Sequence, residues 1–264
     1  MLPPFQILGR VITGYGIAVT IGLLVCFFFL TRQANRRLDG DGDALLVLLF
    51  AGGGAFLGGH LLFGIVSLAN YGFQTITSFD GFFRFMNDFF GGSVFYGGLI
   101  GGIIAALITV RVMKLPWYPM VDLLTTIIPL FHCFGRIGCF LGGCCYGIPS
   151  EIGFTFRHSI VHAANGVNRF PVQLLEAGFN LALFFVLFSL FKNEKLRGKL
   201  LFLYLSCYSF ARFFLEYLRG DSVRGEWAIG LSTSQIISIA LFIIGGLGLI
   251  IKINNINSTR EAKS

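Results

Sequence analysis

Charged residues are scarce in this chain of 264 residues, of which only 12% are Asp, Glu, Lys or Arg. Hydrophobic residues make up 55% of the chain, and the mean hydropathy is +0.78. Such a chain has too few polar side chains to cover the surface of a soluble globule. The composition therefore excludes the soluble classes and predicts an integral membrane protein.

Several familiar motifs are also missing. No nucleotide-binding loop, haem motif or long soluble stretch occurs, so we predict no cofactor. The formal net charge of +7 does not indicate a nucleic-acid partner, because the Lys and Arg residues lie in short clusters between apolar runs. The six cysteines do not form a small secreted framework, since Cys26 and Cys207 lie in apolar runs, where an isolated Cys behaves as a small hydrophobe.

Seven apolar runs predict seven transmembrane helices, each near the roughly twenty residues that a bilayer core requires. The runs extend over about residues 11–30, 44–69, 94–110, 120–136, 171–191, 200–218 and 227–251. The first run is no signal peptide, because its basic cluster of Arg32, Arg36 and Arg37 follows the run instead of preceding it.

The basic residues also predict the orientation. With the amino terminus outside, the cytoplasmic loops and the carboxyl-terminal tail hold 12 of the 20 Lys and Arg residues, as the positive-inside rule requires. We therefore predict an all-α fold with a single integral membrane domain over residues 1–264. Residues 148–170 are polar and are predicted to form a small extracytoplasmic head, and residues 252–264 a cytoplasmic tail.

The sequence HCFGRIGCFLGGCCYG, residues 132–147, interrupts the apolar pattern with Arg136. An Arg at the centre of a transmembrane helix costs about 2.5–3.5 kcal/mol on insertion scales, so such residues usually face a cavity or a partner. The glycines that follow predict that the helix breaks after Arg136 and opens toward the outer face. We therefore predict a functional site at this motif.

The sequence YSFARFFLEYLRGD contains a second group of polar residues. Tyr208, Arg212, Glu216 and Arg219 recur at intervals of four, four and three, which places them on one face of a helix. Arg212 and Glu216 form an i,i+4 pair, which on its own equally fits a purely structural pair. Together with Arg136, however, Arg212 predicts a site for a phospholipid headgroup, because a planar guanidinium binds phosphate oxygens in bidentate fashion.

The motif GRIGCFLGGCCYG resembles the signature of the bacterial prolipoprotein diacylglyceryl transferase family, which reads GRxGNFxNxExxG. Five other segments resemble that family in the family's order, namely YGIAVTIG, FYGGLIGG, RFPVQLLEA, RFFLEYLRGD and LSTSQIISIA. The resemblance implies a multi-pass enzyme of the bacterial plasma (inner) membrane. Such an enzyme transfers the diacylglyceryl group of phosphatidylglycerol to the lipobox cysteine of an exported prolipoprotein and releases glycerol phosphate.

The resemblance also implies site residues. Arg136 and Arg212 match the family's functional arginines and are expected to hold the leaving phosphate, while Glu216 orients one of them. The residues expected to bind substrate are Tyr15, Gly97, Gly98, Cys139, Gly147, Gln173, Glu176, Tyr208 and Arg219. The two tyrosines equally fit interfacial aromatic residues, and Gln173 and Glu176 equally fit ordinary polarity at a helix end.

The chain departs from the family's pattern at four positions. Tyr96 stands where the third-span motif has a His proposed as a base, and Tyr is a poor base at neutral pH. Cys139 and Gly142 replace two Asn residues, and Cys144 replaces a Glu. If these groups act as the family suggests, their loss costs several powers of ten in rate.

Another base is available in the sequence. His132 lies four residues before Arg136, on the same helical face, and is a candidate to replace the missing His. His60 in the second span is a weaker candidate, and a reaction without a dedicated base is a further possibility. Each histidine equally fits a structural group in an apolar helix.

The cysteines after Arg136 admit three interpretations. Cys139, Cys144 and Cys145 fit a disulfide on an oxidising outer face, small residues that let the segment pack closely, or a metal site with His132. The spacing lacks the CxxC form typical of zinc, so we expect no metal. Two alternative functions follow from the departures: a relative that binds anionic phospholipid but uses a different acceptor, and a non-catalytic or redox membrane protein.

Overall fold

The computed structural model describes residues 5–7, 10–37, 41–71, 79–92, 94–159, 161–221 and 230–250. Within these ranges the chain forms eight α-helices and four short strands. The helices are α1 (Gly14–Arg37), α2 (Asp41–Tyr71), α3 (Phe79–Phe90), α4 (Phe95–Val112), α5 (Trp117–Gly142), α6 (Val172–Lys192), α7 (Leu200–Leu215) and α8 (Thr233–Ile250). The strands are β1 (Phe5–Ile7), β2 (Arg10–Ile12), β3 (Pro149–Thr155) and β4 (Asn168–Arg169).

Two compact units divide the chain. Thr31–Met120 forms one unit, and the other combines Met1–Leu30 with Val121–Ser264. The single integral domain over residues 1–264 stays a prediction. The predicted cytoplasmic tail, residues 252–264, lies outside the described residues.

Five helices are long and apolar enough to cross a membrane, namely α1, α2, α5, α6 and α8. A helix satisfies the hydrogen bonds of its own backbone, and this is required in a bilayer core, which contains no water to do so. A mostly helical protein with several candidate spans is therefore confirmed. The helices α4 and α7 correspond to the other two predicted spans but have only 18 and 16 residues, so the count of seven and the orientation stay predictions.

The structure corrects the sequence prediction between the second and third spans. No apolar run was predicted there, yet Phe79–Phe90 forms helix α3. Its charged residues Asp80 and Arg84 are four positions apart, which places them on one face of the helix. The helix has only 12 residues, too few for an apolar run that would predict a membrane span, so hydropathy did not reveal it.

Helix α5 is also longer than predicted. It continues past Arg136 to Gly142, whereas the glycines in this stretch predicted a break. Gly138 serves a close approach instead, since a Cβ built there would lie 3.0 Å from Cδ2 of Tyr15 in α1. Arg136 and Cys139 therefore both lie in regular helix, as do the residues of the earlier turns.

The end of α5 is a Schellman cap. Gly143 adopts a left-handed φ of 73°, and its N–H donates to the Phe140 carbonyl at 3.2 Å. The next N–H, of Cys144, donates to the Cys139 carbonyl at 3.1 Å. The cap reverses the chain, so the residues after the helix return to the level of its last turn.

The predicted head contains a small sheet. Strand β3 pairs with β4 in antiparallel fashion, with Phe154 opposite Arg169 and Thr155 opposite Asn168. Below the sheet, Tyr146, Phe156 and Ala164 form a small buried cluster. The structure thus shows folded elements in this segment, and the extracytoplasmic head over residues 148–170 stays a prediction.

The unit Thr31–Met120 is organised by glycines where α2 meets α4. A Cβ built on Gly58 would overlap the Gly97 carbonyl oxygen, and one on Gly54 would overlap that of Gly101 at 2.5 Å. Small residues let helices pack at short range in a membrane, where no hydrophobic effect drives them together. The second apolar run is rich in glycine, which permits this close packing.

Candidate active site

Glu176 is the centre of a polar cluster inside the protein. The residue lies in the second turn of α6 and has no exposed surface. Its Oε1 atom lies 2.9 Å from Arg136 Nη2 and 3.6 Å from His132 Nε2, and it accepts a hydrogen bond of 3.0 Å from the Tyr208 hydroxyl. Three helices, α5, α6 and α7, therefore converge on a single carboxylate oxygen.

The spacing within α5 explains two of these contacts. His132 and Arg136 are one helical turn apart, so both side chains leave the same face. Arg136 Nε donates to His132 Nε2 at 3.3 Å, and the His132 ring lies 5.0 Å from the Tyr208 ring, centroid to centroid. The predicted proximity of His132 to Arg136 is therefore present in the structure.

Arg212 belongs to a second cluster at the end of α7. Its Nη2 atom lies 2.5 Å from Glu216 Oε2 and donates to Ser234 Oγ at 3.2 Å. The hydroxyl of Ser232 donates to the other Glu216 oxygen at 2.9 Å. The expected i,i+4 pair is therefore formed, and the two serines before and in the first turn of α8 complete it.

The two clusters lie within electrostatic reach of each other. Arg212 interacts electrostatically with both Glu176 and His132. Although Arg212 is only 6% exposed, its Nη1 atom has no hydrogen-bond partner among the residues that the structure describes. The same holds for Glu176 Oε2 within the described ranges. A buried cationic donor and a buried anionic acceptor thus keep unused hydrogen-bonding capacity in one region.

Arg219 departs from the predicted helical face. Helix α7 ends at Leu215 and is followed by a 3-10 turn, so Arg219 lies beyond the helix. Its guanidinium forms a bidentate pair with Asp221, at 2.8 Å and 2.6 Å. Burial lowers the pKa of Arg219, but the hydrogen bonds to Asp221 and the proximity of Cys145 raise it above its ordinary value, so the side chain stays charged. The interval of three residues from Glu216 to Arg219 places both on one face only in a continuous helix, so the prediction of a shared face for Arg219 was wrong.

Gln173 and Gly147 help to hold the segment after α5. Gln173 is 1% exposed, and its Nε2 donates to the Cys144 carbonyl at 2.9 Å. Gly147 pairs with Arg219 through an isolated β-bridge, and its carbonyl accepts a hydrogen bond of 3.3 Å from Arg169 Nη1. Both residues therefore shape the backbone beside the site.

The remaining predicted residues are distributed over both units. Tyr15 is 46% exposed and lies near Cys139, in the same unit as Arg136. Tyr96, Gly97 and Gly98 lie in the first turn of α4, in the unit Thr31–Met120. The two glycines approach the α2 backbone, and the side chain of Tyr96 lies outside the described structure.

His60, the weaker candidate for a base, lies in α2. Its Nδ1 atom is 2.9 Å from the carbonyl of Phe56 in the same helix, and its ring packs on the Phe56 ring at 4.3 Å between centroids. These contacts are those of a histidine that is satisfied within its own helix.

Three polar residues of these clusters were not predicted as site residues. Ser232 and Ser234 lie in the segment LSTSQ, and Asp221 ends the segment RGD. Each segment was noted for its resemblance to the family, but no spacing along the chain connects the serines at the start of α8 to the Arg212–Glu216 pair at the end of α7. Only the packing of the two helices brings them together.

Comparison with known proteins gives a consistent result. Residues 4–251 match the family model described as prolipoprotein diacylglyceryl transferase. The chain is 34% identical over 244 residues to a phosphatidylglycerol–prolipoprotein diacylglyceryl transferase of Clostridium tetani, covering 91% of this chain and 93% of the relative. It is 33% identical over 261 residues to transferase 2 of that name from Clostridium perfringens, covering 97% of this chain and 96% of the relative. A third relative, from Helicobacter hepaticus, is 31% identical over 270 residues and is covered to 92%.

These matches extend over nearly the whole chain, including both polar clusters and the helices that carry them. The resemblance inferred from the sequence motifs is thereby confirmed. The chain belongs to the prolipoprotein diacylglyceryl transferase family of transferases.

Proposed function

We propose that this protein transfers the diacylglyceryl group of phosphatidylglycerol to the thiol of a lipobox cysteine in an exported prolipoprotein and releases glycerol phosphate. Family membership supports the reaction, and the polar clusters of α5, α6 and α7 support the position of the site. The protein acts in the bacterial plasma membrane, with seven spans, the amino terminus outside and the carboxyl terminus in the cytoplasm.

The observation that carries this proposal is the unused donor of Arg212. A buried guanidinium nitrogen without a partner destabilises the folded protein. The penalty is about 1–3 kcal/mol for a neutral buried donor and larger for a charged one. Arg212 Nη1 has no hydrogen-bond partner in the described part of the chain. A phosphate oxygen of the lipid headgroup would satisfy it with a charge-assisted hydrogen bond.

The neighbouring acceptor supports a glycerol-containing headgroup. Glu176 Oε2 is buried and lacks a hydrogen-bond donor within the described ranges. The headgroup of phosphatidylglycerol carries hydroxyl groups beside its phosphate, so a hydroxyl can donate to this oxygen while Arg212 binds the phosphate. The pairs Arg136–Glu176 and Arg212–Glu216 keep both guanidinium groups fixed before the lipid arrives, which is what electrostatic preorganisation requires.

The reaction exchanges one bond for another at the glyceryl carbon. The sulfur of the acceptor thiolate forms a bond to the carbon that carries the phosphate, and the carbon–oxygen bond to phosphate breaks. The electron pair of that bond goes to the phosphate oxygen, where Arg136 and Arg212 stabilise the growing negative charge. The thiol proton must leave first, because the thiolate is the nucleophile.

His132 is the residue that we propose to receive this proton. Its Nε2 atom accepts a hydrogen bond from Arg136 and is therefore unprotonated. Glu176 Oε1, 3.6 Å away, stabilises the imidazolium that forms when the proton arrives. Tyr96 stays a second candidate for a role in catalysis, at the position of the family's proposed base.

Complementation tests this function. The gene is expressed in cells depleted of their own diacylglyceryl transferase, and lipidation of a reporter prolipoprotein is measured by its mobility shift and by mass spectrometry. Lipidation by the unaltered chain, and its loss in a variant with a Ser in place of the reporter's lipobox cysteine, supports the proposal. Absence of lipidation despite normal membrane insertion contradicts it and favours a different acceptor or a non-catalytic protein.

A further inference from the structure

Three thiols meet beside the polar clusters. The sulfur atoms of Cys139, Cys144 and Cys145 all lie within 4.8 Å of one another, and all three cysteines are free and half-buried. In the described structure no other group of three His, Cys, Asp or Glu residues shares this geometry. The reaction proposed above uses none of these sulfurs, so the cluster requires its own explanation.

The Schellman cap of α5 explains how an unusual spacing produces the cluster. Cys139 lies in the last turn of the helix, and the cap sends the chain back so that the Cys144 N–H reaches the Cys139 carbonyl at 3.1 Å. Cys145 then adopts a left-handed φ of 56°, which is uncommon for a residue with a Cβ. This turn brings Cys145 back to the other two, although the chain has no CxxC motif.

Surrounding residues hold the turn in place. Gln173 of α6, almost fully buried, fixes the Cys144 carbonyl with a hydrogen bond of 2.9 Å. On the far side, the N–H of Gly220 donates to the Tyr146 carbonyl at 3.0 Å, which ties the following segment to the end of α7. Cys139 is therefore held within α5, and the turn that carries Cys144 and Cys145 is tied by hydrogen bonds to α6 and to the segment after α7.

The distances suit a soft metal ion. Sulfurs bound to zinc at about 2.3 Å in tetrahedral geometry lie about 3.8 Å apart, so each sulfur here must move by at most about 0.6 Å. Thiolate ligands select soft or borderline cations with filled d shells over magnesium or calcium. Three protein ligands leave a fourth position open to water.

The charges also agree. Three thiolates with a dication carry a net charge of −1, and the positively charged Arg219 guanidinium interacts electrostatically with Cys145. Asp221 anchors Arg219 through two hydrogen bonds of 2.8 Å and 2.6 Å and balances its charge, so the complex together with this pair keeps a net charge of −1. Arg219 thus acts as a neighbouring charge that steadies the thiolates, without being a ligand.

We propose that Cys139, Cys144 and Cys145 form a three-thiolate site for a thiophilic d10 cation, with zinc(II) as the expected occupant. Binding of zinc(II) to three thiols releases three protons and leaves an anionic tris-thiolate complex. The expectation of no metal, which rested on the missing CxxC spacing, is replaced by this proposal. The proposal does not rest on the proposed transfer reaction, so metal binding and lipid transfer are measured separately.

Cadmium(II) is the probe for the test. The full-length protein is purified in detergent, reduced, freed of metal with a chelator and titrated with cadmium(II). We expect one tightly bound ion per chain, a thiolate-to-cadmium charge-transfer band in the ultraviolet, and three sulfur neighbours by X-ray absorption. Zinc(II) added in excess is expected to displace cadmium(II) from the site and so to remove the charge-transfer band.

Matched variants identify the ligands. Cys144→Ser and Cys145→Ser are each expected to weaken cadmium(II) binding by at least about tenfold, since even neighbours of ligands change affinity by about 10–100-fold. Cys26→Ser is the control, because Cys26 is a buried thiol of α1 outside the cluster and is expected to leave binding unchanged. Thermal unfolding shows whether each variant is folded. If a variant does not fold, the proposal is tested by the charge-transfer band and the number of sulfur neighbours in the unaltered protein.

Two results would overturn the proposal. One is a reduced wild-type protein that shows no charge-transfer band or binds no more cadmium(II) than the Cys144→Ser and Cys145→Ser double variant. The other is a disulfide between any two of the three cysteines in protein alkylated directly in its native membrane. Lipidation of the reporter prolipoprotein is measured in parallel, so loss of metal binding with intact transfer rejects only this inference and not the proposed function.

Discussion

Arg136 Nη2 lies 2.9 Å from Glu176 Oε1, so α5 and α6 share an ion pair that is almost entirely buried. The pair differs from Arg212–Glu216, whose partners occupy neighbouring turns of one chain segment. Breaking a buried pair by removing one partner costs about 3–5 kcal/mol, because the remaining charge is left uncompensated. The interhelical pair therefore holds two helices and the site in one arrangement.

Glu176→Gln is expected to destabilise the protein by about 3–5 kcal/mol and to abolish transfer, because it leaves Arg136 buried without its counter-charge. Thermal unfolding in detergent measures the first effect and the lipidation assay the second. Glu194→Gln is the control, since Glu194 is 66% exposed and 3.9 Å from Arg197, and its change is expected to stay below about 0.5 kcal/mol. Equal effects of both substitutions would contradict a central role for Glu176.

Arg212→Lys keeps the positive charge but removes the planar fork. We expect transfer to fall by about 10²-fold with unchanged membrane insertion, because the donors of a lysine lie on one nitrogen and cannot reproduce the planar fork that reaches Glu216, Ser234 and a phosphate oxygen. Arg212→Ala and Arg136→Ala are expected to abolish activity, whereas Tyr96→Phe is expected to be milder. Arg197→Lys, in a partly exposed surface pair, serves as the control; full activity of Arg212→Lys would argue against headgroup binding by the fork.

Tyr208→Phe removes the hydroxyl that donates to Glu176 at 3.0 Å. The expected loss of stability is about 1.5–3 kcal/mol, the range for hydrogen bonds to charged groups. Tyr204→Phe is a matched control, because its ring stacks on that of Tyr208 at 5.7 Å but its hydroxyl makes no hydrogen bond to Glu176 in the described structure. The two variants are compared by chemical denaturation, and a larger loss for Tyr204→Phe would contradict this assignment.

Arg169→Ala tests the fold of the segment 148–170. The buried Arg169 side chain donates to the carbonyls of Ala163, at 2.7 Å, and Gly147, at 3.3 Å, and lies 4.2 Å above the Tyr146 ring. Its removal leaves these carbonyls unsatisfied, so we expect about 2–3 kcal/mol of destabilisation. Limited proteolysis of the segment measures the change.

The control for Arg169→Ala is Arg157→Ala, because Arg157 is an exposed arginine of the same segment. The control is expected to leave the rate of cleavage unchanged. Identical cleavage patterns for the two variants would show that Arg169 does not organise the segment.

Gly58→Ala tests the close approach of α2 and α4. A Cβ on Gly58 overlaps the Gly97 carbonyl oxygen, so the helices must separate and we expect about 1–3 kcal/mol of destabilisation. Gly52→Ala is the control in the same helix, because a Cβ there meets no atom of the described residues within 4 Å. Helix propensity makes the control neutral or stabilising, by up to about 1 kcal/mol; thermal unfolding that ranks the two variants in the opposite order would contradict the packing described here.

The sequence was a reliable guide wherever the signal was local. Hydropathy over some twenty residues reflects the bilayer directly, which is why α1, α2, α5, α6 and α8 were all predicted. The i,i+4 pair of Arg212 and Glu216 was likewise predicted, because a helix fixes which side chains share a face. Arg219 escaped the same rule, since the helix ended at Leu215 before reaching it.

Relations between distant segments were beyond such signals. Glu176 was equally compatible with ordinary polarity at a helix end, and only the packing of α5 and α7 against α6 made it the acceptor for Arg136 and Tyr208. Similarly, the spacing of the cysteines argued against a metal site until the turn after α5 brought their sulfurs together.

The sequence by itself determined the membrane class, most helices and the family, because hydropathy, periodicity and short motifs are properties of neighbouring residues. Tertiary structure alone decided which carboxylate holds which arginine and which thiols meet. These contacts join residues from separate helices, and their formation depends on helix packing, which no spacing along the chain specifies.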